Sequence, residues 1–131
     1  MSKDDRQKRQ AALDAIVKTS MDAVVADWPK GCPSLHAHFH YGVIGISPQY
    51  LVAWYIFKTN ADLDLAKQKR WTLEVDRRTR KELAAHRYPI EFVNRIGVSF
   101  TTDEDVRNSG MNGYQYFNTN SPVWFSEPKP D

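Results

Sequence analysis

Three imidazoles separated by single residues, His36-Ala37-His38-Phe39-His40, are the densest cluster of chemically capable side chains in the chain. On a β-strand alternate residues share a face, so these rings would stand in one row about 7 Å apart. Neutral imidazole suits zinc, and adjacent rings on a strand can converge on one ion. His36, His38 and His40 are therefore a candidate metal set, with zinc as the cofactor it would take. A working zinc centre also needs an open position for water and partners that orient its ligands. Nearby sequence supplies no fourth ligand: Cys32 lies beyond Pro33, and the closest acids belong to other segments. The competing reading needs no cofactor, only a histidine-rich strand surface that meets solvent or a packed helix through hydrogen bonds. Either way the row is sensitive to pH, because neighbouring imidazolium charges disfavour one another.

A second cluster is electrostatic. Residues 67–87 hold Lys67, Lys69, Arg70, Arg77, Arg78, Arg80, Lys81 and Arg87 against Glu74, Asp76 and Glu82, whereas the whole chain carries only +2. The rest of the chain is consequently acidic, an asymmetry that the overall balance hides. A basic helix face can bind phosphates in a salt-dependent way. However, Glu74, Arg78 and Glu82 follow one another at four-residue steps, which suits ion pairs within one exposed helix. Asp103, Glu104 and Asp105 form the opposite patch. They lack the alternation of a calcium loop and fit the positive end of a helix, or a docking surface for a basic partner. Tyr114 and Tyr116 complete the set, as aromatics of the kind that anchor protein interfaces.

No phosphate-binding loop, dinucleotide fingerprint, nucleophile elbow or paired-cysteine module occurs in the sequence. These observations favour a small non-enzymatic interaction domain, accessory or inhibitor-like. It would bind a protein partner through Arg77, Arg78, Lys81, Asp103, Glu104, Asp105, Tyr114 and Tyr116. A nucleic-acid binder using the basic 67–87 helix is the first alternative. A metal-dependent enzyme built on His36, His38 and His40 is the second.

The elements that would position these groups follow from periodicity. Residues 50–58, Tyr-Leu-Val-Ala-Trp-Tyr-Ile-Phe-Lys, are apolar on both pleat faces and strand-length, so they belong inside a sheet. Ahead of them, Leu35, Ala37, Phe39, Tyr41 and Val43 alternate with the histidines as a half-buried strand. The short link at 45–49 demands antiparallel pairing of the two. Leu13, Ile16, Val17, Met21, Val24, Val25 and Trp28 mark a first helix over about 4–28, with Asp14, Lys18 and Asp22 off that stripe. Helical character runs again over about 59–86, with a kink or a break into two helices around 70–72, and Pro89 closes it. Residues 96–101 alternate as a third strand, 102–109 start a short helix, and Tyr114-Gln115-Tyr116-Phe117 reads as a short last strand.

The expected fold is α+β, in the order α-β-β-α-β-(α)-β: a two-layer sandwich whose antiparallel sheet of about four strands carries helices mainly on one face. Residues 1–118 would form one domain, with 1–10 projecting. Residues 119–131 would be a proline-containing tail, packed through Trp124 and Phe125. With 131 residues, 41% hydrophobic and 26% charged, the chain has the composition of an ordinary globular domain. Its single cysteine, and the absence of a signal-like or membrane-length apolar run, predict a cytoplasmic protein without membrane contact.

Overall fold

A computed structural model describes residues 2–120 of the chain. The first helix, α1 (Lys3–Ala26), opens with the Ser2 hydroxyl accepting from the Asp5 amide at 3.1 Å, and with Asp4 and Asp5 in its positive first turn. Leu13, Val17, Ser20, Met21 and Val24 are its buried residues, one stripe at three- and four-residue steps. Buried Ser20 stays satisfied by donating to the Ile16 carbonyl at 2.7 Å.

Strand β1 (Leu35–Tyr41) pairs antiparallel with β2 (Val52–Phe57), and every residue of β2 is buried. The link between them is tightly fitted. Gly42 has φ +128°, and a side chain there would collide with the Tyr50 carbonyl, while one at Gly45 would strike the backbone of α1. A register shift between Leu35 and Ala37 marks a bulge at the start of β1.

After β2, Thr59 caps α2 (Asn60–Gln68) by accepting from the Asp62 amide at 3.1 Å. Arg70 then takes a left-handed conformation, φ 61°, and α3 (Trp71–Ala85) starts afresh, so the break expected near 70–72 is a junction between two helices. At the far end of α3, Tyr88 N bonds to Leu83 O and Arg87 N to Ala84 O, the paired reverse bonds of a Schellman terminus, with Arg87 at φ 71°. The chain continues into β3 (Gly97–Thr102), α4 (Asp103–Asn108) and α5 (Gly113–Asn120).

The α+β class stands, and the sheet corrects the expectation in two ways. Among the described residues it has three strands in the order β1-β2-β3, and β3 lies parallel to β2, making a mixed sheet. The α2–α3 passage between these strands is long enough for a parallel crossover, which a hairpin link is not. The expected last strand at Tyr114–Phe117 is instead part of α5. Asn112 Oδ1 accepts from the Gln115 amide at 2.8 Å and Gln115 Oε1 from the Asn112 amide at 3.3 Å, a reciprocal helix cap that overrides the apparent alternation.

The main core lies between the sheet and α1 and α3, where Leu13, Val17, Met21 and Val24 meet Ala53, Tyr55, Val75 and Leu83. Tyr55 reaches through this layer to Thr79, with the two hydroxyls 2.7 Å apart. On the other face of the sheet, Phe117 of α5 packs edge-on against Phe39 and Trp54, at centroid distances of 4.7 and 5.0 Å. Trp124 and Phe125, expected to anchor the tail, lie outside the described residues. Among the described residues no helix is long and apolar enough to cross a membrane.

Candidate functional site

The bulge decides how the histidines are used. His36 is turned to the end of the sheet, with Nε2 3.5 Å from Asp103 Oδ1, a carboxylate that also holds Arg107 Nε at 2.7 Å. His38 and His40 keep the strand alternation and point toward α1. There His38 Nε2 lies 3.1 Å from Asp22 Oδ1, and His40 Nε2 lies 2.7 Å from Asp14 Oδ1. Each ring of the row thus has its own carboxylate. Among the described residues no group of three or more histidine, cysteine, aspartate or glutamate side chains is arranged to hold a metal ion.

The two inner pairs line a groove of about 650 Å³ between α1 and β1. Its lining runs along α1 from Gln10 through Asp14 and Lys18 to Asp22, and along the strand from His38 to Gly42. Asp22 is saturated: Oδ1 faces His38, and Oδ2 accepts from Lys18 Nζ at 2.8 Å. Its carboxyl is held below the usual carboxylate range, first by the Lys18 bond and then by the His38 bond. Asp14 is used on one side only, where Oδ1 takes both His40 and Gln10 Nε2, the latter at 3.0 Å. Gln10 also donates to the Gly42 carbonyl at 3.2 Å and accepts from the Gly45 amide at 2.6 Å, fastening the end of the groove. Beyond it a smaller hollow of about 350 Å³ shares Gln10 and Asp14 and is walled by Val43, Ile46, Lys3 and Arg6. Ile46 is 52% exposed there.

The other residues singled out in the sequence are mostly occupied within the fold. Arg77 and Arg78 both bind Glu74, and Arg78 also donates to the Asp27 carbonyl. Arg80 bonds Asp76 at 2.6 Å and the Val93 carbonyl at 2.7 Å, while Lys81 is exposed. In the acidic patch Glu104 accepts from the Asn60 amide at the start of α2, and Asp105 accepts from the buried Tyr116 hydroxyl at 2.5 Å. Because the Tyr116 proton goes to Asp105, the Thr101 hydroxyl at 2.5 Å must donate to the Tyr116 oxygen. Burial is the main reason the Tyr116 phenol is pushed up. Tyr114, by contrast, is 71% exposed.

Asp14, Asp22 and Gln10 are the site residues that the sequence reading did not select. Their only trace in the sequence is their shared place off the apolar stripe of α1, at spacings of four and eight residues. Comparisons with protein-family models, with curated proteins and with solved structures find no match to this chain.

Proposed function

We propose that this chain is a small non-enzymatic protein-interaction domain and that its contact surface is the groove between α1 and β1. One observation carries the reading: a helix flank and a strand open together onto a single groove of about 650 Å³, continued by a hollow where Val43 and Ile46 are exposed. Clefts of this volume also hold small molecules. A long trough with a mixed polar and apolar lining, extended beyond one end, fits a chain segment better than a compact ligand. The patches first considered for docking support the choice, since Arg77, Arg78, Glu104 and Asp105 already have partners within the fold.

A photo-crosslinking side chain at Ala15, in the groove, is compared with one at Lys69, on an exposed helix end away from it. In lysate of source cells the Ala15 form yields a discrete adduct that the Lys69 form does not. The adduct's protein, once identified and purified, binds the native chain with a measurable Kd. Identical adduct patterns from both positions, or a purified candidate that does not bind, would count against the proposal.

A further inference from the structure

The long wall of the groove is the margin of the sheet. Among the described residues β1 is an outer strand in the order β1-β2-β3, and an outer strand presents a row of amide and carbonyl groups along its margin, here from Ala37 to His40. Residues His38, Phe39, His40, Tyr41 and Gly42 all line the groove, although consecutive residues of a strand point to opposite faces. A hollow touching both sets runs along the strand's edge instead of lying over one face. The opposite wall is α1. It runs antiparallel to β1, since Asp22 pairs with His38 and Asp14 with His40. At one end the Gln10 amide already occupies the Gly42 carbonyl, so the open edge stops there. An edge strand beside a helix is the setting in which an extended peptide adds itself to a sheet, with backbone bonds giving affinity and side-chain pockets giving specificity.

We propose, resting on the interaction reading above, that the groove takes an extended segment of a partner protein as a fourth strand against β1, with a lysine or arginine facing Asp14. The charge follows from how the two carboxylates are used. Asp22 gives one oxygen to His38 and the other to Lys18, so its charge already faces a permanent cation. Among the described residues Asp14 spends only Oδ1, and its side chain keeps 38% of its exposure. A cation there gains a charge-assisted bond at a partly shielded site, whereas an acid meets a like charge. Ala15 offers apolar contact beside it.

Two other occupants fit less well. A second copy of β1 brings His36-Ala37-His38-Phe39-His40, which has no permanent cation to set against Asp14. The chain's own residues 121–131 contain Pro122, Pro128 and Pro130, which cannot donate to a ladder, and more acidic than basic side chains.

The probe is a random seven-residue peptide library selected on the full chain, followed by NMR titration with the enriched peptide. Enriched sequences should lack proline and acid in the centre and carry lysine or arginine at one fixed position. Alternate amides of β1, fast to exchange in the free chain, should become slow in the complex. N-methylation of the peptide at one alternating set of amides should abolish binding and at the other set should not. Replacing the fixed cation by glutamate should weaken binding at least tenfold. Asp14→Asn, which can still accept from His40, should remove the preference for the cation over glutamine.

Equal tolerance of both N-methylated sets would overturn strand addition, and a missing cation preference would overturn the role of Asp14. No enrichment, or shifts confined to residues outside the groove, would overturn the proposal entirely. In those cases the interaction reading still stands or falls separately, on the Ala15 crosslink. Slow exchange of all β1 amides in the free monomer, or in a concentration-dependent dimer, would give the edge to the chain itself or to a second copy and would likewise overturn it.

Discussion

Two carboxylates and one thiol differ from their free counterparts, each for a nameable cause. Asp22, held down first by Lys18 and then by His38, and Glu74, held down first by Arg77 and then by Arg78, are easier to ionise in the folded chain than in the unfolded one. A depressed carboxylate stabilises the fold fully above its unfolded value, and this contribution disappears as pH falls through the lower folded value. Thermal midpoints followed by circular dichroism should therefore decline below about pH 4, and Asp22→Asn should flatten that decline by lowering the midpoint slightly at neutrality, where the contribution is fully present, and leaving it nearly unchanged in acid. Cys32 moves the other way, because burial pushes its thiol up to about 11 from an ordinary 9.0. Alkylation of the native chain at pH 8 should run about a hundredfold slower than in urea, since each unit of displacement removes tenfold of the reactive thiolate. A native rate equal to the unfolded one would contradict the buried placement. At this scale the sequence showed three imidazoles at alternate positions of one strand. It did not show their partners, because Asp14 and Asp22 meet His40 and His38 only through the way α1 lies across the sheet.

Among the elements, helix ends tell the most. Arg87 closes α3 with φ 71°, in a region where a β-carbon is crowded and glycine is at ease. Arg87→Gly should raise stability by about 0.5–1 kcal/mol in urea unfolding, and a loss would mean that the arginine side chain makes a compensating contact. The cover of the second sheet face depends on Phe117, wedged against Phe39, Trp54 and Tyr116. In Phe117→Ala the amides of α5 should lose hydrogen-exchange protection while those of β2 keep theirs, which separates local release from global unfolding. The apolar run at 50–57 announced the buried central strand, and the left-handed Arg70 sits where the helical register slipped. The aromatic alternation at 114–117 was too short to distinguish a strand from a helix. The reciprocal cap from Asn112 to Gln115, three residues apart and readable in the sequence, was the decisive signal.

For the whole molecule, the mixed sheet was the least legible feature, since pairing direction depends on what fills the chain between strands and not on any residue within them. What was legible was the α+β class: an amphipathic helix and a helical passage combined with a strand that is apolar on both sides. Pairing direction also has a kinetic consequence. Tyr41 and Val52 pair across a short link, whereas Val52 and its partner Gly97 are separated by two helices. Closing the longer interval costs roughly 1 kcal/mol more in chain entropy, about two doublings of loop length. The β1–β2 hairpin and α1 should therefore assemble first on refolding, with β3 arriving last. Pulse-labelled exchange would register this as β1 and β2 amides protected ahead of those at 97–102, and simultaneous protection would refute it. A chain emerging from the ribosome could then complete its groove while the stretch from β3 onward is still being synthesised.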